Sequence, residues 1–269
     1  MAKSKDKISL PTKKSKRSDE LNDYLVLLHG EKKIGKTTLA LQDEEAFLLT
    51  FDPPQKAIQG YQRHVASWVQ FTKYIQLLLK KKNNLPYTRI VIDGVDIAHR
   101  LCQEFVCAKR SIEHPKDDGY GAGWDALKSE FAKWFDKIMS LKCGVWFICH
   151  SKWSEVETRD GRKISKLIPL LKSSAEEMIV GKVDVWASYD YVGDERALII
   201  LGDERTGAGH RIDHRFRTPE GKRVREIPMG NTAKEAHKNL MHAFNNKQTI
   251  TKLKRKGKKK RKNRLRRKK

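Results

Sequence analysis

The chain has 269 residues, 38% of them hydrophobic, which is enough to bury one sizeable core. No stretch approaches the roughly 20 apolar residues of a membrane span, and the basic amino end lacks an apolar secretory core, so neither a membrane nor an exported protein is expected. The formal charge of +24 sits mostly at the ends: residues 247–269 hold 15 Lys or Arg and no acid, and residues 21–246 carry only +5. The apolar segments all lie between Leu25 and Phe244. A flexible basic arm over 1–20, one core over 21–246 and a disordered polybasic tail over 247–269 are therefore expected. The run KLKRKGKKKRKNRLRRKK repels itself and has little to bury. It suits polyanions, nucleic acid above all, because each neutralised phosphate releases condensed counterions. A solubilising or localisation role fits the same composition. Cys102, Cys107, Cys143 and Cys149 lie in or beside apolar segments with no C-x-x-C pair, which points to reduced thiols and a cytoplasmic setting.

From the amino end, Leu25–Thr37 reads LVLLHGEKKIGKT, an apolar run delivered into G-x-x-x-x-G-K-T. Chance supplies that match in a chain of this length on the order of 1% of the time. Gly30 and Gly35 are expected to let the backbone through Glu31, Lys32, Lys33 and Ile34 curl until its N–H groups converge on phosphates. Lys36 then supplies a charge to the β and γ phosphates, the Thr37 hydroxyl a ligand for Mg²⁺, and Thr37 and Thr38 open a helix running to about Gln42. The implied cofactors are ATP and Mg²⁺.

Ala46–Phe51 reads as a buried strand ended by Asp52-Pro53-Pro54. Ser67, with Gln70 three residues on, signals a helix striped by Trp68, Phe71, Ile75, Leu78 and Leu79. Arg89–Asp93, RIVID, is a β-branched run suited to a central parallel strand. Placed beside the phosphate-loop strand, it would bring Asp93 to the metal's water shell. The next helix is expected to bury Ile97, Leu101, Phe105 and Ala108, and a flexible segment, Asp117–Gly123, follows. Leu127, Phe131, Trp134, Phe135, Ile138 and Leu141 stripe another helix, stopped by Gly144.

Val145–Cys149 is a third buried strand, expected to end at His150-Ser151 on the edge that carries Asp93. His150 either reports the γ-phosphate or simply ends the strand facing water. Trp153–Lys172 turns basic, either as a nucleic-acid loop or as a solvated hairpin with RDGR at its turn. Val183–Val192 and Ala197–Gly202 read as later strands and Thr232–Asn245 as a final amphipathic helix. The order of parts predicts an α/β fold.

In GEKKIGKT, RIVIDGVD, GYGAGWDALKSEF and VWFICHS, over about residues 22–220, the chain resembles the RecA-like P-loop ATPases. Among these it is most similar to phage-encoded ATP-binding proteins of single-strand annealing and recombination. The resemblance implies a P-loop NTPase of RecA-like three-layer form with a mainly parallel central sheet. It implies phosphate and Mg²⁺ ligands at Lys36 and Thr37, a Walker B acid at Asp93, and a switch at His150 that couples the γ-phosphate to DNA-contacting loops. The wider family places a Glu near the end of the second strand as base, where this chain has Asp52. Asp52, Asp96, or slow hydrolysis with ATP acting as a conformational ligand remain as alternatives. Self-association into a ring or filament is implied, with Arg205 or Arg211 reaching a neighbour's γ-phosphate. The implied partners are single-stranded DNA, RNA as its alternative, and a single-strand-binding protein, in a host cytoplasm if the chain is phage-encoded. A RecA-like helicase motor, a nucleotide-gated scaffold and a small-molecule kinase are the other readings.

Overall fold

The computed structural model describes residues 10–53, 56–81 and 84–253. The first nine residues, Pro54, Asn83 and most of the polybasic run lie outside that range. Six strands form a parallel array: β1 (Leu25–Gly30), β2 (Ala46–Thr50), β3 (Tyr61–His64), β4 (Arg89–Asp93), β5 (Gly144–Glu157) and, after a hairpin strand β6 (Lys163–Pro169), β7 (Val185–Val192). β8 (Glu195–Ile199) and β10 (Glu226–Pro228) extend the sheet antiparallel beyond β7, and β9 (Gly209–His210) also pairs with β7. The order across the sheet is β10-β8-β7-β1-β5-β4-β2-β3.

One core face packs the sheet against α2 (Trp68–Lys80), α3 (Val95–Arg110), α4 (Ala122–Met139) and α5 (Ser173–Lys182). The opposite face packs against the short α1 (Lys36–Ala40) and the capped α6 (Ala233–Phe244). This is the three-layer α/β fold expected. Its central strands are buried on both faces, and for that reason read as unbroken apolar runs.

The strand that carries Asp93 does not adjoin the strand that feeds the phosphate loop. β5 lies between them, pairing Val145–His150 with Leu25–Gly30 on one side and Gly144–Ile148 with Arg89–Asp93 on the other. Apolar runs of equal character carry no mark of their neighbours, so the order was open until the chain was folded. Gly144 also opens β5 instead of stopping α4, which ends at Met139. A Cβ on Gly144 would stand 2.3 Å from the Asn22 carbonyl oxygen, so only glycine passes beneath that segment.

Other boundaries moved for local reasons. α1 stops at Ala40, where the buried Arg89 guanidinium donates to the Ala40 carbonyl at 3.1 Å and lies over the Trp146 ring. α3 is rotated from its expected face: Val95, Ala98, His99, Cys102 and Val106 are buried, Ile97, Leu101 and Phe105 only flank them, and Ala108 is exposed. The small Ala98 and Cys102 allow close approach to α4, which the larger side chains would prevent. In place of a flexible segment over Asp117–Gly123, two tight 3₁₀ turns, Pro115–Asp117 and Gly119–Gly121, lead directly into α4 at Ala122, with Asp118 ion-paired to Arg110. Ser67 caps α2 as expected, accepting from the Gln70 N–H.

The ends are more engaged than their charge suggests. Tyr24 donates its hydroxyl to the Ser18 carbonyl at 2.7 Å, and Asp19 pairs with Arg215. Within the segment read as tail, Thr251 accepts backbone hydrogen bonds from Arg225 and Glu226, and the Leu253 N–H donates to the Glu226 carboxylate. Residues 247–253 therefore belong to the folded unit; the run from 254 onward lies outside the described residues.

Candidate nucleotide site

The carboxyl ends of β1, β2 and β4 and the midpoint of β5 meet at one edge of the sheet. The phosphate loop runs from Gly30 to Thr38 over it. Its curl comes from Lys33, at φ 63°, and Gly35, at φ 107°. Gly30 has no such strain. A Cβ there would stand 2.1 Å from the Tyr189 carbonyl oxygen on β7, so close strand packing makes this position a glycine. Ile34 is buried and anchors the loop, leaving Glu31, Lys32 and Lys33 exposed around the rim.

Inside the loop the Lys36 ammonium donates to the carbonyls of Gly30 at 3.0 Å and Glu31 at 2.7 Å. Burial lowers its pKa, opposed first by Asp93. The Thr37 hydroxyl donates to Asp93 Oδ2 at 2.5 Å. Burial raises the Asp93 carboxyl above the usual carboxylate range, against the Thr37 hydrogen bond and the Lys36 charge. Burial thus disfavours both charges in the absence of a ligand, and together they form a cradle that a phosphate chain and a divalent ion would complete. Thr37 and Asp93 are the residues that would hold Mg²⁺. Among the described residues no three His, Cys, Asp or Glu side chains converge as a metal set, so phosphate and water would supply its other ligands.

Three further groups stand at the same edge. Asp96 lies in the first turn of α3, and its Oδ1 is buried without a hydrogen-bond partner. Burial raises the Asp96 carboxyl, while the nearby His150 pulls it down. His150 pairs in register with Gly30, and its Nδ1 is also buried without a partner. Burial and the Lys36 charge lower its pKa, so it is a neutral imidazole near pH 7. Asp52 follows β2, whose Thr50 pairs with Asp93, and its charge reaches Asp93, Asp96 and His150.

Some expectations separate here. β5 does not end at His150-Ser151; it continues to Glu157 and pairs with β6 as a projecting antiparallel hairpin. His150 therefore occupies the point where one strand leaves the parallel sheet. Arg211 donates to the carbonyls of Gly181 and Val183 beside Asp184, which bonds to Leu25 at the amino end of β1. It is thus at the far end of the sheet from the loop. Arg205 is exposed in the turn beside β6, its carbonyl accepting from the Leu167 N–H.

Two residues at the site were missed in the sequence. Arg196, on β8, is held by two hydrogen bonds to the Gly230 carbonyl, and its Nη1 lies 3.7 Å from where a Gly35 side chain would begin. Its position so far along the chain gave no local signal. His29 sits inside the motif-bearing segment itself and is wholly buried. An apolar run hides a single polar residue from any periodicity.

With this geometry in view, the sequence of residues 22–212 matches the family described as AAA domain. The chain belongs to the AAA domain family. Among curated proteins none matches it. A solved structure similar to it is the KaiC-like protein of the hyperthermophilic archaeon Pyrococcus horikoshii OT3, with 13% identity, a TM-score of 0.42, and coverage of 77% of this chain and 85% of that one. The chain is thus a P-loop ATPase domain of α/β fold, and the loop, Thr37 and Asp93 are its candidate nucleotide site. No helix among its described residues is long and apolar enough to cross a membrane.

Proposed function

We propose that this AAA domain is an ATPase acting on single-stranded nucleic acid, in the manner of phage-type recombination and annealing proteins. The observation that carries the reading is the continuity of β5. His150 at the phosphate edge and Trp153 on the hairpin belong to one uninterrupted strand, and the Trp153 ring is 65% exposed. An exposed indole offers a stacking platform that tolerates any base. Arg159, Arg162 and Lys163 are exposed near the hairpin tip, where Asp160 and Glu155 partly neutralise them. A cleft of about 690 Å³ beside Asp96 carries Arg100, Lys152 and Lys172 on its walls. A phosphodiester chain laid there would pass within reach of the site that turns over ATP.

The bound triphosphate supplies the γ-phosphoryl group whose loss the site detects. Lys36 and the loop amides hold that chain, Thr37 and Asp93 hold the metal's shell, and neutral His150 donates to a γ-phosphate oxygen. Asp96, with a raised pKa and an unpaired oxygen, orients and deprotonates the attacking water. Self-association into a ring or filament belongs to the same proposal. Arg205 is then the candidate for the neighbour's γ-phosphate, since Arg211 is occupied elsewhere.

Steady-state ATPase assays with and without an oligonucleotide test the reading. Stimulation by single-stranded DNA that falls at least about fivefold in Trp153→Ala supports it. Turnover indifferent to any nucleic acid, or dependent instead on a small-molecule acceptor, overturns it. Strand displacement would move the assignment to a helicase motor.

A further inference from the structure

The geometry points to His29 as a positioning residue that couples the phosphate site to the β5–β6 hairpin and to the Arg205 turn. This inference rests on the nucleotide site described above and on His150 as the group that meets the γ-phosphate.

His29 is the last side chain of β1 before the loop opens, and it is 0% exposed. Its Nε2 lies 2.8 Å from the Gly207 carbonyl oxygen, and its Nδ1 lies 2.8 Å from Ser151 Oγ. A carbonyl can only accept, so Nε2 carries the proton and Nδ1 accepts from the Ser151 hydroxyl. One tautomer satisfies both contacts. Burial holds the ring's pKa down to about 4, which keeps that neutral form through the physiological range.

Three elements thereby share one buried side chain. Ser151 follows the switch residue His150 and begins the hairpin arm of β5. Gly207 closes a turn zipped to the returning strand, where the Leu167 N–H donates to the Arg205 carbonyl and the Gly207 N–H to the Leu167 carbonyl, both at 2.8 Å. Asp203 Oδ1 accepts from the N–H groups of Arg205 and Thr206 and fixes that turn. The imidazole stacks on Trp186, against which Gly207 and Gly209 pack so closely that a Cβ on either would stand 2.8 Å from the indole. The assembly has no slack for an independent shift of one part.

A leucine would fill this place on β1 at lower desolvation cost. The imidazole adds two directional contacts with defined partners, one to each moving part. Buried polar groups of this kind select one arrangement over its near neighbours because a broken contact leaves an unpaired group inside. When His150 shifts on meeting or losing a γ-phosphate oxygen, Ser151 shifts with it, and His29 passes the change to Gly207 and Arg205. The Arg205 turn thus reads the nucleotide without touching it.

Hydrogen exchange on the full-length protein, with and without a non-hydrolysable ATP analogue and Mg²⁺, tests this. In the native chain the analogue should slow exchange in residues 152–168 and 203–207 by about fivefold or more. Ser151→Ala, which removes the donor to Nδ1, should bind the analogue within about threefold of native yet lose that protection in 203–207, and Ser151→Thr should restore it. His29→Gln, which keeps a donor toward Gly207 but no ring, should behave as Ser151→Ala does. Full protection of both segments in Ser151→Ala, or no protection of them in a native chain that binds the analogue, overturns the coupling. A native chain that fails to bind the analogue at all removes the nucleotide site itself, a separate and visible outcome.

Discussion

Thr37 donates its hydroxyl to Asp93 although a complete strand separates the two residues in the sheet. The contact exists because the phosphate loop folds back over the top of β5, which lies level with Gly30 at His150 and with Asp93 at Ile148. The strand inserted between them places His150 level with Gly30, where the loop begins.

Removing the loop cation should separate turnover from stability. Lys36 is buried in the ligand-free cradle and its pKa is lowered by that burial, so its charge is costly there until phosphate is bound. Lys36→Ala is expected to reduce ATP turnover by at least about 100-fold while the ligand-free melting temperature holds or rises slightly. Circular dichroism melts beside a phosphate-release assay check both halves. A collapse in melting temperature would count against the cradle.

Asp96 and Asp52 can be told apart by kinetics. Asp96→Asn should lower kcat by about 100-fold or more with little change in KM, because it removes a base and leaves binding contacts in place. Asp52→Asn, at a half-buried position, should cost less than about tenfold. The reverse ranking would transfer the base to the strand-end aspartate. Because burial raises the Asp96 carboxyl, the acid limb of the native rate profile should lie above the usual carboxylate range and disappear in Asp96→Asn.

Stability should fall on the acid side in a defined window. His29 and His99 are each lowered by burial from an ordinary 6.5 to about 4. Between those values the unfolded chain takes up protons that the folded chain refuses, so their contribution is complete above about pH 6.5 and is lost as the pH falls toward 4. Each histidine accounts for about 3 kcal/mol over the window, as an upper figure for ideal burial. Urea titrations at half-unit pH steps measure it, and the loss should shrink by up to about 3 kcal/mol in a folded His29→Gln. An unchanged acid slope in that variant would mean that the ring is not held neutral.

Arg196 should serve nucleotide binding in cis. Two of its nitrogens are fixed on Gly230, and the third lies beside the outer curve of the phosphate loop. Arg196→Gln is expected to weaken ATP and ADP by similar factors, about fivefold to thirtyfold, since the side chain stands near the loop's entry. Isothermal titration with both nucleotides checks this. A loss confined to ATP would place the guanidinium at the γ-phosphate.

The polybasic run should anchor nucleic acid without governing hydrolysis. Because Thr251 and Leu253 are bonded to the folded unit, deletion should begin at residue 254. Loss of 254–269 is expected to flatten the salt dependence of single-strand binding by up to about 0.7 log units per lost phosphate contact, with basal ATPase preserved. A deletion from 247 should cost stability as well, because it strips Thr251 from Arg225 and Glu226.

Much of this protein is written locally. GEKKIGKT needs no tertiary context to declare a phosphate loop, because glycine placement and a single lysine dictate what backbone amides can surround. The continuously apolar RIVID and VWFIC announce central strands, since only burial on both faces tolerates them. The Ser67 cap was legible because side-chain capping is a contact between residues close in sequence. The fold had to decide what depends on distant neighbours. Strand order was one such matter, because apolar runs do not name their partners. The short exposed strand β3 was another, stabilised by its pairing with β2 and not by its own YQRH pattern. Chain separation also concealed Arg196, far in sequence from the loop it borders, and His29, whose partners Ser151 and Gly207 lie more than a hundred residues away. A hydrogen bond across such a separation leaves no periodic trace, and only packing brings its two ends together.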